Sequence, residues 1–237
     1  MKKILLSLSF VMALYSIGSA QKTIQDPNAE VREAKNFHAI EVSNAFDVYL
    51  SQGNDESVAV SAADPEYRNR IIVEVKSGVL IVRYENKMRW NSGNKKLKAY
   101  ISFKQIDKLN VSGACDVFIV ENWKAENLKI DLSGASNLKG KLDAGKLMVD
   151  LSGASDMTLT GSVGQCNVEA SGASDFKGFD LVVEYCNAKA SGASDIKITV
   201  NKELSAEASG ASDVKYRGSG LIRDIKTSGA SSISRRS

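Results

Sequence analysis

Histidine is nearly absent from this 237-residue chain, which has His38 alone, and cysteine is scarce at three. So few of these residues, with no close ligand spacing among them, exclude a zinc site built on His and Cys. Neither sign of charge dominates: 31 Lys and Arg against 28 Asp and Glu leave +3. Nucleic-acid binding is therefore not expected, since it needs a clustered basic face rather than a slightly basic average. Apolar residues at helical spacing are missing from the C-terminal half. Long apolar runs are missing too, apart from one at the N-terminus, so nothing downstream of it is expected to span a membrane.

That run, Ile4 to Ile17, follows Met1-Lys2-Lys3 and leads into Gly18-Ser19-Ala20. A basic start, a short apolar centre and small exit residues predict a secretory signal over residues 1–20, cleaved after Ala20. The stretch is short for a spanning helix of about 20 residues and contains Ser7, Ser9 and Ser16. No Cys follows the cleavage point, so a lipid anchor there is not expected. Losing Lys2 and Lys3 takes the formal charge from +3 to +1. The expected location is outside the cytoplasm: periplasm, outer surface or extracellular.

What the chain does have is a repeat. Ser-Gly-Ala-Ser-Asp or a near copy begins at Ser112, Ser133, Ser152, Ser171, Ser191, Ser209 and Ser228, at intervals of 21, 19, 19, 20, 18 and 19. A fixed period of this size signals units that stack on their neighbours. One and three residues before each start the side chains are apolar or small, as in Ile130 and Leu132 or Val168 and Ala170, and polar residues stand between them. That is the alternation of a strand with one buried face. A second apolar column follows the pentapeptide at Val117, Leu138, Met157, Phe176, Ile196, Val214 and Ile233. Small residues, with Gly tolerating positive φ, suit a tight corner where coils lie close together. The expected fold is all-β: a parallel, right-handed β-helix or solenoid of roughly 19-residue coils over 112–237, an N-terminal antiparallel β cap over 37–111, and a loose lead-in over 21–36.

Within the cap, Phe37 to Leu50 reads as a degenerate first copy. Aligning Ser43 with the repeat Ser puts Ile40 and Val42 inward, Asp47 in the Asp column and Val48 in the second apolar column. A strand at Val58–Val60, a helical turn from Pro65 to Arg70 capped by Asp64, and a hairpin of Ile71–Lys76 and Val79–Tyr84 about Ser77-Gly78 are expected next. A polar loop from Glu85 to Lys96 and a strand from Leu97 to Phe103 complete the region. Open ladder ends invite edge pairing, so such a cap has a physical purpose. Five residues follow the last corner, so Arg235 and Arg236 are expected either to guard that edge or to leave it to pair with another molecule, a second copy included.

With its signal-like start, the Phe37–Leu50 opening, the hairpin and the corner series, the chain resembles the putative auto-transporter adhesin, head GIN domain family from about Phe37 to Ile233. The resemblance implies an exported bacterial protein with a β-helical body, and no set of catalytic residues.

The sharpest candidate chemistry is the column Asp47, Asp116, Asp156, Asp175, Asp195 and Asp213, interrupted by Asn137 and Ser232. Oxygen ligands at ladder spacing suit Ca²⁺ and make Asp156, Asp175, Asp195 and Asp213 the candidates if calcium binds. Unit charges ~4.8 Å apart repel by about 0.9 kcal/mol even in water. Lys139, Lys177, Lys197 and Lys215 stand two residues on, on the same strand face, and offset this without metal. The structural reading is preferred, with no metal and no cofactor. Cys166 and Cys186 each lie five residues before a corner and should be neighbours in one inward column. Adjacent rungs fall within the ~4.4–6.8 Å Cα separation of a disulfide, but parallel stacking rarely supplies its torsion, so buried thiols are expected and the disulfide is left open. His38 falls in the same column and should be partly buried, not a catalytic base. Arg89 and Trp90, in the one irregular aromatic and basic loop, are the binding candidates, and Trp123 is expected to staple the cap to the first coil.

The function expected is a non-enzymatic, adhesin-like binding or structural module of the cell envelope, with a surface glycan or an envelope protein as partner. The alternative is a polysaccharide lyase or glycosidase on a β-helix scaffold. That enzyme needs two carboxylates ~5–9.5 Å apart on an open groove, and would show polar residues breaking the column pattern.

Overall fold

The computed structural model describes residues 26–85 and 95–236. Apart from one helical turn, α1 (Pro65–Arg68), the regular elements are strands. They run β1 (Glu30–Arg32), β2 (Ala39–Val42), β3 (Phe46–Gln52), β4 (Ser57–Ser61), β5 (Ile71–Lys76), β6 (Val79–Tyr84), β7 (Leu97–Phe103), β8 (Lys108–Val111) and β9 (Asp116–Ile119). Then come β10 (Trp123–Leu132), β11 (Asn137–Leu151), β12 (Asp156–Ala170), β13 (Asp175–Ala190), β14 (Asp195–Ala208), β15 (Asp213–Arg217), β16 (Leu221–Thr227) and β17 (Ser232–Arg235). No helix among the described residues is long and apolar enough to cross a membrane.

From β8 and β9 onward the strands stack in parallel, one coil upon the next. Register follows the repeat: Leu109, Ile130, Val149, Val168, Ala188, Ala206 and Ile225 are successive partners, as are Val117, Leu138, Met157, Phe176, Ile196, Val214 and Ile233. Both columns point into one continuous apolar core. Burying each Val, Leu, Ile, Phe or Met in it contributes roughly 1.5–3 kcal/mol. The solenoid predicted from the period is thus the fold observed.

The corners explain the pentapeptide. Each corner glycine has φ between 74° and 92°. A Cβ on Gly172 would lie 2.5 Å from the carbonyl oxygen of Gly153 one coil below, and every other corner glycine faces the same obstacle. The backbones are this close because the corner Ala N–H donates to the glycine carbonyl of the preceding coil, at 2.8 Å for Ala173 to Gly153. The repeat pattern marks the fourth residue only as small. Its hydroxyl is an internal strut: Ser194 Oγ is buried and donates to Ser191 O and Ala170 O, at 2.9 and 3.0 Å. Cys115 stands in this place in the first full copy, with Sγ 3.5 Å from Ser112 O.

The degenerate copy joins the ladder in the register expected from its alignment, Ile40 on Leu109, Val42 on Val111, Asp47 on Asp116 and Val48 on Val117. At its corner Asn44 takes the glycine's place at φ 85°, and Ala114 N–H donates to its carbonyl at 2.6 Å. Over 37–111 the parallel stacking extends further than expected. β6 and β7 pair in parallel with β2 and β3 and so add one more rung, because Leu80 and Val82 continue the inward columns. Antiparallel pairing is carried by β1 on β4, β4 on β7 and β5 on β6. The hairpin, the strand at β4 and the Asp64-capped turn form where the sequence places them.

Candidate binding faces

The Asp column lies on the outer face of β3, β9, β11 to β15 and β17, in unbroken register from Asp47 to Ser232. Its charges are matched along the face. Lys177 Nζ sits 3.2 Å from Asp156 and 3.5 Å from Asp175. Lys197 is 4.0 Å from Asp195, and Lys215 is 2.9 Å from Asp213. Ser232 Oγ donates to Asp213 at 2.6 Å, and Asn137 Nδ2 to Asp116 at 2.8 Å. The Lys215 and Ser232 hydrogen bonds hold the Asp213 carboxyl below its ordinary range. At the other end burial, then the Asp116 charge, push Asp47 above it. Asp156, Asp175, Asp195 and Asp213 therefore each face an ammonium group, and among the described residues no three His, Cys, Asp or Glu side chains are grouped to hold a metal.

Lys139, expected among the balancing lysines, lies instead over the Phe118 ring at 5.0 Å. Asn137 takes the place of the same-strand carboxylate two residues before it, so Lys139 lacks the partner that Lys177, Lys197 and Lys215 each have on their own strand. Phe118 ends an outer stack with Tyr49 and Tyr100, centroids 5.2 and 5.1 Å apart and planes within 22°. The rings present edges to solvent because their faces cover one another. Burial and the hydrogen bond to Asp26 push the Tyr100 hydroxyl well above the usual tyrosine range.

Arg89 and Trp90 lie outside the described residues. Trp123 does act as a staple: it is buried against Phe103 of β7, with ring centroids 4.9 Å apart. Cys166 and Cys186 are register partners and buried free thiols, and the Cys166 side chain and burial together push Cys186 well above the thiol range. His38 corrects the expectation of partial burial. It is exposed, with Nδ1 3.2 Å from Asp107, because β2 starts only at Ala39 and Phe37 fills the interior instead.

A groove that spacing and alternation do not reveal lies where the long strands bend. Pairing skips Glu126 opposite Gly145, and Gly145 opposite Gly164, while residues on either side stay in register. A Cβ on Gly145 or Gly164 would come 2.7 or 2.8 Å from the carbonyl of the coil below. Without side chains there, the surface dips into a shallow groove of about 430 Å³ lined by Lys124, Ala125, Glu126, Asp143, Ala144, Gly145 and Ser162. Asp143 is fixed by Asn122 Nδ2 at 2.6 Å and by Ser162 Oγ and N at 2.8 and 3.0 Å, and these hydrogen bonds keep it below the ordinary carboxylate range. The clue in the sequence is two glycines one coil apart, outside the pentapeptide.

Residues 36–220 match the family model described as putative auto-transporter adhesin, head GIN domain. The chain belongs to this family. Solved structures share the family member's fold at low identity. A putative adhesin from Bacteroides fragilis is 22% identical with a TM-score of 0.82, over 88% of this chain and 96% of that one. A putative adhesin from Parabacteroides merdae is 16% identical, TM-score 0.69, over 88% and 95%. A putative lipid binding protein from Parabacteroides distasonis is 18% identical, TM-score 0.67, over 90% and 98%. No curated protein matches.

Proposed function

We propose that this member of the head GIN domain family is an exported, non-enzymatic, adhesin-like binding module of the cell envelope. The observation that carries the reading is the outer Asp face. Its carboxylates are spent on neighbouring lysines, Asn137 and Ser232 across successive coils, which makes a rigid, charge-balanced surface suited to contact. General acid–base chemistry needs an unengaged carboxyl poised near neutral pH, whereas Asp156, Asp175, Asp195 and Asp213 are ion-paired to lysines. The family's description as an auto-transporter adhesin supports the same reading, as do the basic start and apolar run of residues 1–20.

The test pairs a glycan and envelope-protein array with a polysaccharide turnover assay, beside fractionation of cells expressing the full chain. Binding without product, and protein outside the cytoplasm, is the expected result. Product formation that disappears when one carboxylate is replaced would establish the lyase or glycosidase reading instead.

A further inference from the structure

We infer that the groove at the strand bend, with Tyr185 on the coil that follows Ser162, is a contact site for a neutral oligosaccharide. The inference rests on the binding-module reading and assigns it a place. Three features converge there. Hydrogen-bonding groups of both kinds line the groove: Lys124 donates, Glu126 and Asp143 accept, and so does Ser162, whose proton goes to Asp143. Asp143 is held in one orientation by Asn122 and Ser162, so its carboxylate does not have to be ordered when a ligand arrives.

The second feature is the next coil. Val182 stands directly over Ser162 and Tyr185 directly over Gln165, so both rise on the coil next to the Gly164 dip. They are 42% and 41% exposed, whereas nearly all the large apolar side chains of the coils below and above are buried. Lys202 Nζ, 5.3 Å from the Tyr185 centroid, holds the ring and is itself tied to Glu184 at 2.9 Å. An exposed aromatic one coil on from fixed donors and acceptors suits a chain of sugars, each of which offers C–H groups on its face and hydroxyls at its edge.

The third is charge. Lys124 offsets one of the two carboxylates in the groove, and Glu184 and Lys202 cancel on the coils beyond Ser162. No strong field of either sign is left to select an acidic or basic polymer. Pairing is interrupted at the same place on successive coils, so the dip runs along the coil axis and suits a linear chain laid across rungs. The outer aromatic stack of Tyr49, Tyr100 and Phe118 has no such role, because its ring faces are used internally.

The experiment titrates the full chain with cellohexaose, maltohexaose, mannohexaose and xylohexaose by calorimetry. Tyr185→Ala, Lys124→Ala and Asp143→Asn are measured alongside, with Lys76→Ala on the N-terminal hairpin as control and circular dichroism melting as the check on folding. At least one hexasaccharide should bind. Tyr185→Ala should weaken it roughly tenfold, Lys124→Ala and Asp143→Asn should weaken it less, and Lys76→Ala should leave it unchanged. Wild-type binding that all three folded groove variants retain would overturn the site and leave the binding-module reading standing. Failure of every neutral hexasaccharide, with array binding to charged glycans or envelope proteins, would overturn the site alone. Failure on the array as well would remove both.

Discussion

The two ends of the coil carry the same inward columns and meet solvent differently. At the N-terminal end Leu80 and Val82 of β6 are fully buried, because β4, β5 and β1 fold over the outermost parallel rung. At the last described rung Ile222 and Ile225, partners of the buried Leu204 and Ala206, are each 42% exposed. Equal sequence positions thus acquire different energetic weight. The column places a side chain inward, and its neighbour on the next rung decides what its burial contributes.

The largest expected difference follows from that contrast. Leu80→Ala should lower unfolding stability by about 2–5 kcal/mol in urea titrations, as for other buried leucines. Ile225→Ala, in the same column but with 42% of its surface in water, should cost clearly less. Equal losses would show that the last rung is covered in solution.

A smaller effect separates two identical corner struts. Ser194 and Ser231 make the same pair of hydrogen bonds to carbonyls, but Ser194 is buried and Ser231 only half-buried. Removing the buried hydroxyl leaves Ser191 O without this donor, while Ala170 O keeps the Ser191 N–H, so Ser194→Ala should cost about 1–3 kcal/mol. Ser231→Ala, whose partners can turn to water, should cost clearly less in the same titration.

The smallest effect is one of sign. Asp213 has a depressed carboxyl, so it contributes stability above the unfolded carboxylate range, lost as pH falls through its folded value. Asp47 is raised, so its contribution is complete at low pH and is lost as pH rises through its folded value. In melting curves between pH 3 and 7, Asp213→Asn should lower the midpoint near neutrality and Asp47→Asn should raise it, each by about 1–2 °C. The Asp47 difference should vanish toward pH 3, whereas the Asp213 difference should shrink as pH falls and vanish only below its depressed folded value.

Much of this fold is legible in the order of the residues alone. Seven corners at near-constant spacing dictate stacking, and alternation about each dictates which side chains face inward, so even the degenerate copy at Ser43 falls into register. The extra parallel rung is harder to read, because β6 and β7 lack the pentapeptide and only the columns of Leu80 and Val82 reveal them. Column counting misplaces His38 because it assumes an unbroken strand, and the strand begins one residue later. The groove escapes for a related reason: Gly145 and Gly164 matter through backbone proximity on adjacent coils, which composition and alternation do not express. The role of the corner hydroxyl is equally hidden, since smallness and hydrogen bonding make the same demand for serine.

The central claim is that the corner glycines lie directly over one another. Gly172 tests it most directly, having φ 75° and a would-be Cβ 2.5 Å from Gly153 O, against Gly53, whose would-be Cβ meets only Ser102 Oγ at 3.6 Å. In urea unfolding Gly172→Ala should lose about 2–4 kcal/mol, from positive φ and the backbone clash together, while Gly53→Ala changes by less than about 1 kcal/mol. Equal, small effects at both positions would contradict axial stacking of the corners.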